Sequence, residues 1–202
     1  MDFICDPSLV LYLPLHQMDG PSFISRDARG HQCTVTGAVW TPHGRSFDGV
    51  DDLISVPLDL SAATKLTLEA WVYLDSTQVG EGGIFLVSGL NAVGITMSTT
   101  TLYPYHGGNS VAAQAYSAYV NQWAHIVATY AGLPNQPTVK SYINGGTPAS
   151  GTSSNNVTPG TFVKLGGDYW LKGKMGEARI YTRVLTPLEV QRNYLATKWR
   201  YR

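Results

Sequence analysis

Nine residues, Leu66–Leu74, alternate without a break in the run L-T-L-E-A-W-V-Y-L. Leu66, Leu68, Ala70, Val72 and Leu74 fall on one side, and Thr67, Glu69, Trp71 and Tyr73 on the other. Successive side chains of a strand point to opposite faces, so this period of two predicts a half-buried strand. Its aliphatic face should pack on a second sheet. The opposite face sets a carboxylate between a hydroxyl and an indole and is expected to be solvated or to line a groove.

The rest of the chain is a series of similar segments. Ser8–Leu15 is apolar on both faces until Pro14, which has no amide hydrogen to give a ladder and so marks an edge or an end. Cys33–Trp40 alternates. Ser46–Pro57 places a tight Asp48-Gly49 turn between two short strands. Ile84–Ser88, Val93–Ser98, Leu102–Tyr105, a weak Val111–Ala118, Trp123–Tyr130, Val139–Ile143, Phe162–Leu165 and Met175–Leu185 continue the pattern. Asn144-Gly145 is the clearest hairpin signal. At Thr186 the period changes. Thr186 is a natural N-cap, Pro187 suits the first helical position, and Glu189 completes a capping box. The predicted helix runs about three turns, with Leu188, Tyr194 or Leu195, and Trp199 toward the sandwich. Many short strands, closely spaced turns and one short C-terminal helix predict an all-β, two-sheet antiparallel jelly-roll sandwich. At 202 residues the chain reads as one domain, 1–202, with a self-sufficient core.

Charge narrows the partners. Fourteen basic residues balance fourteen acidic ones, so the excess of positive charge expected of a protein that neutralises phosphates is missing, and no nucleic acid is expected. No run reaches the roughly 20 apolar residues of a membrane span, so no membrane insertion is expected. The start, M-D-F-I-C-D-P, shows no basic region ahead of its apolar residues, and no signal peptide is read there. Cys5 and Cys33 fit no C-x-x-C metal or redox spacing. They are either two free thiols or one disulfide tying the N-terminus to the third segment.

Four segments, taken in order, resemble the laminin-G-like, concanavalin A-like jelly-roll domain. They are S-F-D-G-V-D-D-L-I-S-V-P at 46–57, L-T-L-E-A-W-V-Y-L at 66–74, W-A-H-I-V-A-T-Y with Y-I-N-G at 123–130 and 142–145, and G-K-M-G-E-A-R-I-Y-T-R-V-L-T-P-L at 173–188. With D-A-R-G at 27–30 they span nearly the whole chain. The resemblance implies a concave sheet, rim loops that often bind glycans, and in many members a calcium ion. Asp27 and Glu177 match positions where relatives carry the acids of D-x-S-G and D-E-V-R. Gly176 stands where the second motif would have its first acid, so one ligand is missing. Catalytic members place carboxylates on one strand face as E-x-D-x-E or E-x-D-x-x-E. This chain has four glutamates, Glu69, Glu81, Glu177 and Glu189, and none forms that pattern. Glu69 has no acidic partner on its own strand; a partner across strands stays open.

The residues themselves suggest two kinds of site. Carboxylates without a Cys/His cluster favour a hard, oxygen-seeking cation, calcium before zinc. Asp27 and Glu177, which the resemblance implies, and Asp51 and Asp52 are the candidates, with turn capping and pairing to Arg26, Arg29 or Arg179 as the alternative role. Saccharides present CH faces to aromatic rings and hydroxyls to acids and amides. Tyr103, Tyr105, His106, Asn109 and Tyr116 cluster around a Gly-rich loop, and Trp170 with Asp168 forms a second group. His125 has no nucleophile motif beside it and is expected to be a packed histidine. The expected function is a non-catalytic carbohydrate-binding or adhesion module that binds a glycan or polysaccharide. Such a module belongs at an extracellular or virion surface, alone, as a homo-oligomer or in a larger phage or cell-surface assembly. A purely structural decoration protein and a glycoside hydrolase without the usual carboxylates are the alternatives.

Overall fold

The computed structural model describes residues 6–87 and 93–202. In chain order its first strands are β1 (Leu9–Pro14), β2 (Ser22–Ile24), β3 (Gln32–Thr36), β4 (Val39–Thr41), β5 (Gly44–Asp48), β6 (Leu53–Val56), β7 (Lys65–Leu74) and β8 (Gly82–Val87). They are followed by β9 (Val93–Met97), β10 (Thr101–His106), β11 (Asn109–Ser110), β12 (Gln114–Ala115), β13 (Trp123–Ala131), β14 (Thr138–Ile143), β15 (Ala149–Thr152), β16 (Val163–Leu165) and β17 (Lys172–Tyr181). An α-helix, α1 (Pro187–Thr197), closes the described chain with a short 3-10 turn after it. One sheet has the order β15-β14-β13-β7-β17-β5-β4, with β1 also on β17. The other has the order β11-β10-β9-β8-β16-β6-β3-β2, with β12 also on β10.

The aliphatic row of β7 does what its spacing requires. Leu66, Leu68, Ala70, Val72 and Leu74 are buried in one core shared with Ile126 and Tyr130 of β13 and Ile95, Met97 and Leu102 of the other sheet. Two flanking strands register on β7: Glu69 faces Val127 of β13 on one side and Arg179 of β17 on the other.

Several sequence expectations change. The Cys33–Trp40 run divides at Gly37, whose φ of 71° is costly for other residues, into β3 and β4 in different sheets. Asp48-Gly49 joins no hairpin either: β5 and β6 lie in opposite sheets, and Asp48–Asp52 is the bend between them. Asn144 and Gly145 do turn with positive φ, but β15 starts only at Ala149. The predicted strand tip at Ser88 and the Cys5 thiol lie outside the described residues; Cys33 is a buried free thiol.

The largest correction concerns the polar face of β7. It is neither solvated nor an open groove, because α1 and the residues after it lie across it. Glu69, Trp71 and Thr67 are buried. The capping box of Thr186 and Glu189 forms as predicted. The helix is rotated, however, so that Val190, Asn193 and Thr197 face the sheet. Leu188, Leu195 and Trp199 stay 77%, 50% and 62% exposed. The cause is polar: Asn193 Nδ2 donates to Glu69 Oε2 at 3.0 Å, and Trp71 Nε1 donates to Thr197 Oγ1 at 2.8 Å. A buried carboxylate and indole N–H without partners would cost more than leaving three apolar side chains in water.

Candidate functional site

The β9–β10 hairpin positions the site. Its register sets Tyr103 opposite Thr96 and Tyr105 opposite Gly94. Met97, Ile95 and Leu102 alternate with these residues and point into the core, so Thr96, Tyr103 and Tyr105 share the outer face. Gly94 is small for a reason: a Cβ there would press on the Tyr105 ring. The β10–β11 turn then brings Ser110 opposite Tyr105.

A second segment closes the pocket from the far side. Residues 166–171 cross β8, where Gly83 N donates to Tyr169 O at 2.5 Å. A side chain on Gly83 would collide with the carbonyls of Gly167 and Tyr169, so the glycine lets the loop lie against the strand. This crossing brings Tyr169 beside the β10 tyrosines. The result is a pocket of about 200 Å³ lined by Glu81, Thr96, Tyr103, Tyr105, Gly108, Ser110 and Tyr169.

Its polar groups are specific. Thr96 Oγ1 donates to Glu81 Oε2 at 2.5 Å, which orients the carboxylate. Tyr105 is only 7% exposed, and its buried hydroxyl has no protein partner among the described residues. Burial raises its pKa, helped by the nearby Tyr169, Asp168 and Glu81, so the hydroxyl keeps its proton. The pocket thus offers a phenol that can donate, a carboxylate that can accept, a serine hydroxyl that can do either, and two half-buried rings, Tyr103 and Tyr169.

The two predicted clusters therefore meet, though not residue for residue. Tyr103 and Tyr105 line the pocket, and Asn109 lies exposed on its rim turn. Asp168 is beside it, held to Lys164 Nζ at 2.6 Å. Trp170 is 37% exposed one residue beyond Tyr169, its carbonyl taken by Gln78. His106 is buried instead of lining the site: its ring bonds Ser153 Oγ at 2.9 Å and Val157 O at 3.1 Å and ties down the hairpin tip. Tyr116 is wholly buried in the core and offers a ligand nothing. Glu81, Thr96, Ser110 and Tyr169 escaped the sequence reading. Tyr169 alone carried a signal, as the neighbour of Asp168 and Trp170.

The candidate metal acids divide sharply. Asp27 caps a turn, its two oxygens accepting from the N–H groups of Tyr12, Arg29 and Gly30. Glu177 is buried between Arg179 and Arg200. The Glu177 charge is balanced by its two arginines, and the Asp27 oxygens are taken up by backbone N–H groups. Asp51 and Asp52 fit better, and Asp48 joins them: one oxygen of each lies within 4.8 Å of the others. Burial raises the pKa of Asp52, and the charges of Asp48 and Asp51 add to the shift against the hydrogen bond from Asp48 N. A hard cation would relieve that repulsion, and the donors are the oxygens it requires.

Across the strands Glu69 shares the Arg179 guanidinium with Glu177. Its Oε1 meets Arg179 Nη1 at 2.6 Å and His125 Nε2 at 2.9 Å, all buried beneath α1. His125 is packed, as expected. Beside this cluster a second pocket, about 210 Å³, is lined by Trp71, Trp123, Asn144, Tyr194, Lys198, Tyr201 and Arg202.

Two antiparallel sheets, one shared core and a polar, tyrosine-lined pocket on an outer face define a lectin-type β-sandwich. Residues 48–191 match the family model described as the concanavalin A-like lectin/glucanases superfamily, and the chain belongs to that family. No curated protein matches it. Among solved structures it is similar to the binding domain of botulinum neurotoxin serotype D (14% identity, TM-score 0.73, covering 94% of this chain and 52% of that one). It is also similar to the receptor-binding domain of botulinum neurotoxin type G (15%, 0.73, 94% and 51%). A third similar structure is Trypanosoma rangeli sialidase in complex with sialic acid (19%, 0.75, 98% and 34%). The chain thus spans about half or a third of their lengths, and at these identities the likeness is one of fold. Among the described residues, no helix is long and apolar enough to cross a membrane.

Proposed function

We propose that the protein is a carbohydrate-binding module that holds a saccharide in the Glu81–Tyr105–Tyr169 pocket without cleaving it. One observation carries this reading: three tyrosines from two distant segments converge with a carboxylate and two hydroxyls in a pocket about the size of one sugar ring. Rings and hydroxyls in that mixture suit a ligand that is apolar on its faces and polar at its edge. Family membership and receptor-binding neighbours support binding. Glycoside hydrolysis commonly takes two carboxylates about 5–10 Å apart, one of them protonated. Glu81 is the one carboxylate on this lining, and neighbouring Asp168 is engaged by Lys164. The work belongs at an extracellular or virion surface, on a polysaccharide. The same reading assigns a calcium ion to Asp48, Asp51 and Asp52, in place of Asp27 and Glu177.

The test is a broad glycan array followed by titration of the best ligand against Tyr169→Ala. Binding by the parent and loss of about fivefold or more in a folded variant is the expected result, from lost stacking of about 1 kcal/mol or more. Binding unchanged in Tyr169→Ala but lost in Trp123→Ala would move the ligand to the pocket beside α1. An array with no bound glycan would favour a structural role. Release of reducing ends would overturn the absence of cleavage.

A further inference from the structure

Resting on the reading that this pocket takes a saccharide, we infer that it selects rings carrying hydroxyl or ammonium groups and rejects rings carrying a carboxylate or sulfate. The pocket brings a fixed negative charge and no positive one. Glu81 is held over the site by Thr96, whose hydroxyl bonds one carboxylate oxygen and leaves the other to a ligand. Among the described residues, no lysine, arginine or histidine is on the lining. The nearest described cation in the covering loop's own contacts, Lys164, is committed to Asp168 at 2.6 Å.

Recognition of an acidic sugar calls for the reverse arrangement. A carboxylate or sulfate is best received by a guanidinium fork or an ammonium group, through charge-assisted hydrogen bonds. Here it would meet Glu81, and its side-chain donors would be neutral hydroxyls, those of Tyr103, Tyr105, Ser110 and Tyr169. A hydroxyl can donate to Glu81 while its oxygen, or the ring oxygen, accepts from the unpartnered Tyr105 phenol. An ammonium group makes the first of these contacts charge-assisted and so stronger. The ranking follows: amino sugars first, neutral sugars next, uronic and sialic acids last. Glu81 itself is exposed, so the discrimination should weaken as salt is added.

The experiment uses the whole chain on an array that carries neutral, amino and acidic glycans, followed by calorimetric titration of representative ligands from each class. Parent protein and Glu81→Gln are compared at low and high salt, with thermal melts to establish that the variant folds. Expected is binding of neutral and amino glycans, with acidic ones at least about tenfold weaker. Glu81→Gln should remove the amino-sugar advantage and narrow the gap to acidic glycans. Acidic glycans bound as well as neutral ones would overturn the inference and leave the carbohydrate-binding reading standing. The same holds if a folded Glu81→Gln variant keeps the parent's ranking. Should that variant fail to fold, the parent's ranking and its salt dependence decide alone. No glycan of any class bound would remove the reading and the inference with it.

Discussion

Replacing Arg179 by leucine takes the cation out of a buried cluster while leaving its acids in place. The guanidinium is 1% exposed, bonds Glu69 Oε1 at 2.6 Å and also bonds Glu177, and lies 5.2 Å from the centre of the Tyr12 ring. Glu69 would keep His125 and Asn193, and Glu177 would keep Arg200. Breaking a buried pair from one side costs about 3–5 kcal/mol, because the surviving charge stays desolvated. For a domain of this size that is a fall of roughly 10 °C in Tm. The pH dependence makes the test sharper. In the parent, burial pushes the Glu69 pKa up, but Arg179, His125 and Asn193 outweigh it and hold the carboxyl at about 2. That depressed value stabilises the fold above the unfolded pKa near 4.5 and is lost as pH falls toward 2. Without Arg179, burial takes over and the folded pKa rises above the unfolded one. The folded variant then gains a proton that the unfolded chain releases, so its penalty is full at pH 7 and shrinks toward pH 4. Urea melts of both proteins at pH 7, 5.5 and 4 measure the difference. A loss under about 1 kcal/mol at pH 7, or a penalty that grows on acidification, would refute the reasoning.

Three further outcomes can be checked on purified protein. Tyr105→Ala should cost about 3–5 kcal/mol, because the ring is buried, whereas Tyr105→Phe should change a melt by less than about 1 kcal/mol and still weaken glycan binding, since the phenol hydroxyl has no partner among the described residues. The Arg183 hydrogen bonds, with the Thr186 amide helping and partial burial opposing, bring Glu189 to about 2, so helical circular dichroism should fall as pH drops from about 4.5 toward 2; a helix signal flat across that range would mean the ion pair does not hold α1. Calcium should raise Tm in the parent and not in Asp51→Asn, with about 2.7 kcal/mol gained at a hundredfold excess over Kd, while Asp27→Asn should leave the calcium response intact; an equal response in the Asp51→Asn variant would disprove the assigned site.

How much of this was legible depended on whether a pattern was local. The alternation of Leu66–Leu74 named the buried row correctly because period two is a property of a single strand. Thr186, Pro187 and Glu189 placed the helix start because a capping box is complete within four residues. The helix's rotation was not legible. Leu188, Leu195 and Trp199 make the apolar stripe that hydrophobicity would bury, yet the sheet beneath presents a carboxylate and an indole N–H. Asn193 and Thr197 were the complement to those groups, and that match appears only when residues about 125 positions apart in sequence are brought together. The Asp48-Gly49 turn failed for a related reason. A tight turn fixes the local bend, but which sheet receives the next strand is decided by β16 and β3, which flank β6.

The same distinction explains the site. Tyr103 and Tyr105 drew attention because they stand beside the Gly-rich loop 106–110; that they share one face of β10 came from its register with β9. Tyr169 is more than 60 residues away from Tyr105 and reaches the pocket only because Gly83 lets its loop lie on β8. Glu81 lies just before that strand, and Thr96 orients it from the next one. The site is therefore a property of a junction between a hairpin and a crossing loop. The two faces of the molecule also divide their chemistry on physical grounds. On β7 the carboxylate of Glu69 is fully paired and sealed beneath α1, so it serves the fold. Glu81 stays exposed, with only one of its oxygens engaged by Thr96, in a pocket where a phenol also has no partner. Unsatisfied groups of that kind cost stability when buried, and a ligand able to satisfy them recovers what the folded chain leaves unmade. Access is the physical ground for placing ligand recognition at the Tyr105 pocket instead of on the carboxylate-bearing face of β7: buried groups without a partner among the described residues, such as His125 Nδ1, occur there too, but Glu69 is sealed beneath α1 while Glu81 is exposed.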